Sequence, residues 1–215
     1  MTNLIKQKLS PEQKRKGEKD LLLIDLLTRI GRERGLRIII HGGYATDGYL
    51  GEVTRFHSDI DIQIYGTEKS ADDVVKSLLH AVASSLRELW EFEIEDKGRK
   101  EYYHNLLVKI EDTILDIYYL QTKTSPLGKE KIIIKSDGSL SEPQEFGELK
   151  AKIGNYSYEI ADPVFEVVDK IYKREYRGDS KQEKHVQDIK NLEHVLPQEE
   201  IKRKLKKAIG SREQA

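Results

Sequence analysis

HGGYATDGYLGEVTRFHSDIDIQIYG, residues 41–66, is the stretch whose reading decides the fold. LRIIIH, residues 36–41, is a buried strand by its β-branched content, and two glycines, Gly42 and Gly43, follow it directly. Further on, DIDIQIY (59–65) alternates polar and apolar residues at period two, the mark of a second strand. On a strand, residues i and i+2 share a face, so Asp59 and Asp61 point one way while Ile60, Ile62 and Ile64 pack the other. Two neighbouring carboxylates repel each other unless a cation sits between them. Hard oxygen ligands suit Mg²⁺, which binds through one or two carboxylates together with substrate phosphates. The glycines precede a short helix predicted over YATDGYLGE, and without side chains they let backbone N–H groups approach a phosphate near a helix start.

Elements on either side of this stretch fill out an α/β pattern. Ser10, Pro11 and Gln13 read as N-cap, first helical residue and capping-box partner of a helix ended by Gly31 or Gly35. A second long helix is predicted over 69–90, with Val74, Leu78, Val82 and Leu86 as its apolar stripe. Strands are predicted at 91–96, 104–110 and 113–120, the last two joined by a tight hairpin at Glu111-Asp112-Thr113. EKIIIKSDGSLSEP holds a further strand and a turn at Asp137-Gly138, and NYSYEI (155–160) is a candidate for one more. From Asp162 the pattern turns wholly helical, with three helices started by Asp162-Pro163, Ser180 and Pro197-Gln198. The expectation is a mixed sheet flanked by helices over 1–161, with residues 1–17 flexible, followed by a C-terminal helical bundle over 162–215.

Among 215 residues, 37 Lys and Arg nearly cancel 38 Asp and Glu, so bulk charge argues for neither nucleic acid nor membrane as the main partner. There are no cysteines, which excludes disulfides and cysteine-ligated zinc. The first twenty residues carry no signal-peptide apolar core, and no apolar run approaches the roughly eighteen residues of a membrane span. The expected location is the cytoplasm.

Gly-Gly, a spacer and Asp-x-Asp on a strand together resemble the signature of the nucleotidyltransferase superfamily with the DNA-polymerase-β-like fold. The longer string is similar to the antibiotic nucleotidyltransferases that adenylylate lincosamides and the 2''-hydroxyls of aminoglycosides. Gly42, Gly43, Asp47, Leu50, Gly51, Thr54, Arg55, His57, Asp59 and Asp61 carry that resemblance. The chain departs from it at Tyr44, where a tryptophan is usual, and at Phe56, where a proline is usual, and both changes bear on substrate preference. The resemblance implies that Asp59 and Asp61 hold Mg²⁺ on the phosphates of ATP. It implies a third carboxylate, supplied by Asp116 in TILDIYYL, as metal ligand and general base. It places His185 and Asp188, in EKHVQDIKNLEHVL, beside the nucleotide. The implied reaction moves AMP to a hydroxyl of a small molecule such as an aminoglycoside or lincosamide antibiotic, releasing pyrophosphate.

Several residues keep two readings at this level. Arg55 contacts phosphates or clamps the carboxylates from behind, and His57 orients its neighbours or acts as a base. Asp47 reads as a hydrogen-bonding support of the glycine turn. Lys170, Lys173 and Lys184 reach a triphosphate or form a solvated helix face, with the solvated face favoured. Tyr102, Tyr103, Tyr118 and Tyr119 line an acceptor pocket or pack by strand alternation. Two other functions fit the same motifs: a nucleotidyltransferase of toxin–antitoxin type acting on protein or tRNA, and a non-catalytic nucleotide-binding relative. The lysine-rich KRKLKKAIGSR speaks for a macromolecule and Thr54-Arg55-x-His57 for a small acceptor.

Overall fold

The computed structural model describes residues 4–123, 130–141, 144–145, 149–176 and 183–210. Helix α1 (Pro11–Glu33) starts with the capping box intact: Ser10 Oγ accepts from Gln13 N–H, and Gln13 Oε1 accepts from Ser10 N–H. Strand β1 (Arg37–Ile40) leads into α2 (Gly42–Leu50), and β2 (Ile60–Gly66) leads into α3 (Ala71–Leu86). Strands β3 (Phe92–Arg99), β4 (His104–Ile110) and β5 (Thr113–Gln121) follow. The five strands form one sheet in the order β1-β2-β5-β4-β3. β2 and β5 run parallel and every other pair is antiparallel, so the sheet is mixed as expected.

The connectivity explains the one parallel pair. Helix α3 and the β3–β4 hairpin intervene between β2 and β5, giving the chain the length a parallel return needs. Leu26, Leu27 and Ile30 of α1, Val75, Leu78 and Val82 of α3 and the inward isoleucines Ile38, Ile60, Ile62 and Ile64 share one buried core. Burial of that face leaves the side chains of alternate positions, Asp61, Gln63, Asp116 and Tyr118 among them, on the opposite face.

Two short hairpins follow, β6 (Glu130–Lys131) with β7 (Gln144–Glu145) and β8 (Lys150–Ile153) with β9 (Tyr156–Glu159). The strand expected over EKIIIK is thus cut to two residues plus single bridges at Ile133 and Ile134, while Gly138 takes the positive φ of the expected turn. Helices α4 (Pro163–Tyr176), α5 (Glu183–Glu193) and α6 (Gln198–Gly210) complete the chain. Ser180, the expected start of the second of them, lies outside the described residues. Val164, Val167, Ile171, Ile189, Leu192 and Ile201 give these three helices an apolar cluster of their own.

Among the described residues, 5–7 and 11–17 have defined partners. Residues 11–17 belong to α1, and the strap before them is bonded to two elements. Ile5 exchanges two hydrogen bonds with the Asn191 side chain of α5, and Gln7 N–H donates to Thr54 O. Gln7 Oε1 accepts from Phe56 N–H, and Gln187 Nε2 donates to both Ile5 O and Thr54 O. No helix among the described residues is long and apolar enough to cross a membrane.

Candidate active site

The open face of the sheet, α2, α4 and α5 enclose a cleft of about 500 Å³. Its lining includes Gly42, Gly43, Arg55, His57, Asp59, Asp61, Asp116 and His185, eight of the nine residues expected from the sequence. Asp61 and Asp116 are direct register partners on the parallel strands β2 and β5, so the sheet sets the two carboxylates side by side. Asp59 stands just before β2 and accepts from the Ser58 hydroxyl at 3.0 Å.

The three carboxylates line one wall without closing into a cage. Among the described residues no three His, Asp or Glu side chains converge as a ready-made metal site. Asp116 is turned to other partners: its Oδ1 accepts from Asn105 Nδ2 at 2.7 Å and its Oδ2 from the Tyr118 hydroxyl at 2.8 Å. Partial burial, then the hydrogen bond to Asp116 and its charge, push the Tyr118 phenol up, so Tyr118 stays protonated and donates. The donor set still fits Mg²⁺, because that ion takes one or two carboxylates and fills its shell with water and phosphate oxygens. Asp59 and Asp61 therefore suit a cation that arrives with a nucleotide.

The glycines answer to the protein's own side chains. Gly42 has φ +66°, and a Cβ there would land on the Asp61 carboxylate. A Cβ on Gly43 would strike the His57 ring and the Arg55 guanidinium. The expected approach to a phosphate is also altered, since Gly42 N–H already donates to Glu166 Oε2 at 3.0 Å. Gly43 remains at the cleft wall.

Glu166 is the centre of a network the sequence reading missed. Its other oxygen meets His41 Nδ1 at 3.0 Å, and Lys170 Nζ donates to Oε2 at 3.2 Å. Burial alone would raise this carboxyl. The charge of Lys170, followed by the hydrogen bond and charge of His41, overrides it and holds the group down at about 2. Lys170 is buried rather than solvated, donating also to Gly42 O and Thr46 Oγ1 and standing 3.6 Å from Asp188. The signal was present: Glu166 and Lys170 lie four apart on a helix whose Val164, Val167, Val168 and Ile171 are all buried, so a solvated face had little room.

Asp188 is the expected residue that does not reach the cleft. It is fully buried behind the lining, its two oxygens accepting from Arg55 Nε at 2.9 Å and Nη2 at 2.8 Å. Burial opposes charge on both groups, yet the fork-shaped pair wins and holds Asp188 below and Arg55 above their ordinary values. Arg55 thus clamps a carboxylate from behind. His57 orients: its Nε2 lies 2.6 Å from Asp47 Oδ2, and its ring leans on Tyr44 at 4.3 Å between centroids. Asp47 supports the 54–57 loop rather than the glycine turn, since Oδ1 also accepts from Thr54 N–H and Oγ1.

Neither Tyr44 nor Phe56, the two departures from the family string, lines the cleft. Tyr44 is buried and its hydroxyl donates to Asp20 Oδ2 at 2.6 Å, the partner that a buried phenol requires. Asp20, itself fully buried, takes Lys16 and Thr113 as further donors. Of the four tyrosines considered, Tyr103 and Tyr118 line the cleft. Tyr119 alternates into the core, and Tyr102 is exposed. Lys184 also reaches the cleft, while the Lys173 side chain lies outside the described residues.

Comparison with known proteins agrees with this arrangement. A family profile described as aminoglycoside-2''-adenylyltransferase matches residues 23–131, half of the chain. The solution structure of the antibiotic-resistance factor ANT(2'')-Ia is 22% identical, covering 91% of this chain and 93% of its own at a TM-score of 0.59. The crystal structure of ANT(2'')-Ia with adenylyl-2''-tobramycin is 20% identical, with coverages of 90% and 98% and a TM-score of 0.59. An antigenic nucleotidyltransferase-like protein from Paracoccidioides brasiliensis shares 17% identity over 91% and 90% of the two chains, at a TM-score of 0.52. No curated protein sequence matches the chain. The structural likenesses establish a nucleotidyltransferase-like fold, and the profile match runs from within α1 to the end of β6 with Gly42, Gly43, Asp59, Asp61 and Asp116 inside it. The chain is a nucleotidyltransferase and belongs to the aminoglycoside-2''-adenylyltransferase family.

Proposed function

We propose that the protein transfers AMP from ATP to a hydroxyl of a small polyhydroxylated molecule, of the aminoglycoside or lincosamide kind, and releases pyrophosphate. The observation that carries this reading is the pairing of Asp61 with Asp116 across parallel strands, in a cleft that Asp59 shares. The cleft volume lies in the range of small-molecule sites. ATP as donor assigns the protein to the cytoplasm.

In this reaction the acceptor oxygen forms a bond to the α-phosphorus while the bond from that phosphorus to pyrophosphate breaks. The hydroxyl proton passes to a carboxylate oxygen of Asp116. Asn105 and Tyr118 aim that carboxylate and release one oxygen to the incoming hydroxyl. Asp59 and Asp61 are the residues that would hold Mg²⁺, and the ion would supply neutralisation of phosphate charge there. Lys184, which lines the cleft, adds a cation for the triphosphate. Gly43 and His57 shape the wall behind the phosphates, and His57 keeps its orientation through Asp47. Residues 1–161 form the catalytic part, and the helices of 162–215 close over the cleft.

Pyrophosphate release from each nucleoside triphosphate, with Mg²⁺ and a panel of aminoglycosides and lincosamides, tests the proposal. Release that requires ATP and one acceptor, and vanishes in Asp59→Asn and Asp116→Asn, is the expected result. Silence with every acceptor despite tight nucleotide binding would overturn the transferase reading in favour of a regulatory one.

A further inference from the structure

A hydroxyl of the chain itself occupies the place that the reaction above reserves for its acceptor. Tyr118 donates to Asp116 Oδ2 at 2.8 Å, within the reach at which a hydroxyl hands its proton to a general base. The other oxygen, Oδ1, is held by Asn105 Nδ2 at 2.7 Å, so Oδ2 is the one turned to a hydroxyl. Strand alternation brings this about: Asp116 and Tyr118 stand two apart on β5 and share the open face of the sheet. Both line the cleft. The Tyr118 ring is steadied by Tyr103, edge to face at 5.2 Å between centroids.

The direction of approach fits as well. Strand β2 lies between β1 and β5. A Cβ on Gly42 would meet the Asp61 carboxylate, so the glycine turn that follows β1 lies against one side of it. On the other side, across to β5, Asp116 is the register partner of Asp61 and Tyr118 that of Gln63. An α-phosphorus at Asp61, with its pyrophosphate toward the glycine turn, is open to an oxygen from the β5 side, roughly in line with the leaving group. The Ser58 hydroxyl also meets a carboxylate, that of Asp59, but Ser58 is not among the residues lining the cleft. Resting on the transferase reading above, we propose that Tyr118 is itself an acceptor, which the protein adenylylates when no other hydroxyl fills the cleft. The phenolic oxygen forms a bond to the α-phosphorus of ATP, the bond from that phosphorus to pyrophosphate breaks, and the phenolic proton passes to Asp116 Oδ2. The product is a phosphodiester joining Tyr118 to AMP. A hydroxyl fixed beside the base replaces an encounter between molecules with a step inside one, which offsets the weaker fit of a side chain. The attached AMP then fills the cleft and stops transfer to other acceptors until pyrophosphate reverses the step.

The test is the intact mass of the wild-type chain after incubation with ATP and Mg²⁺ and no acceptor, followed by peptide mapping. The expected chain gains the mass of one AMP less water, carried by the Tyr118 peptide, and retains a radiolabel from the α-phosphate of ATP but none from the γ-phosphate. Excess pyrophosphate removes the group. An aminoglycoside or lincosamide that the protein modifies slows the gain, because both hydroxyls need Asp116. Tyr118→Phe and Asp116→Asn abolish it, with thermal midpoints establishing that each variant is folded. The mapping of the wild type decides the matter even where a variant does not fold. A wild-type chain that stays unmodified while it adenylylates an added acceptor, or AMP found on Ser58 or any residue other than Tyr118, overturns the inference and leaves the transferase reading intact. A wild-type chain that modifies neither itself nor any acceptor overturns both.

Discussion

At the residue scale, Gly42 shows how closely the site is packed. Its φ of +66° suits glycine alone, and the Asp61 carboxylate occupies the space a side chain would need. Gly42→Ala is expected to displace Asp61 and lower kcat about 100-fold, the penalty typical of a misplacement near 1 Å, with nucleotide affinity less affected. Steady-state kinetics on the folded variant checks this. Asp188 makes the opposite case, a residue that acts without touching the cleft. Asp188→Asn leaves the Arg55 guanidinium buried beside a neutral partner, and removal of one member of such a pair costs about 3–5 kcal/mol. A fall of that size in urea unfolding is expected, and an unchanged stability would show that Arg55 finds another partner. The Asp-x-Asp pattern was legible because strand alternation needs only local sequence. The turn of Asp188 toward Arg55 was not, because 133 positions separate them and no spacing rule crosses that distance.

Elements were legible wherever one face is apolar. The capping box at Ser10, the alternation of 59–65 and the hairpin at residues 110–113 each follow from short-range chemistry, and the structure keeps them. The glycine pair was read as a step before a helix, whereas α2 begins at Gly42 itself. EKIIIK was expected to hold a strand, but only Glu130–Lys131 forms one, against β7, while Ile133 and Ile134 make single bridges to Thr122 and Leu140. The strap at residues 5–7 left no signal either, since its contacts join main-chain groups to side chains on α5 and to the loop at Thr54 and Phe56, far away in sequence. Asn191 is the key to that strap, accepting from Ile5 N–H and donating to Ile5 O. Asn191→Ala is expected to destabilise by about 1–3 kcal/mol through those unsatisfied groups. Faster hydrogen exchange at Ile5, Gln7 and Phe56 should accompany the loss.

Over the whole molecule, charge ties α4 and α5 to α2 and to the loop before β2. Glu166 and Lys170 on α4, Asp188 on α5, Arg55 in the loop and Gly42 on α2 form one continuous chain of bonds. Its pH signature follows from Glu166, held at about 2 in the fold against an ordinary value of 4.5. A depressed carboxyl contributes stability that is complete above 4.5 and is lost as pH falls from 4.5 toward 2. That contribution is on the order of 3 kcal/mol. Unfolding free energy measured across this window should drop for the wild type, and its advantage over Glu166→Gln should shrink with it. A constant advantage would contradict the assignment.

The central claim is adenylyl transfer by the carboxylates of the cleft. The most direct measurement is the mass of the acceptor after incubation with ATP, Mg²⁺ and protein, across aminoglycosides and lincosamides. One acceptor gaining a single AMP with wild type, and none with Asp59→Asn or Asp116→Asn, is the predicted result. An acceptor modified equally well by Asp116→Asn, or modified by a group other than AMP, would contradict the account.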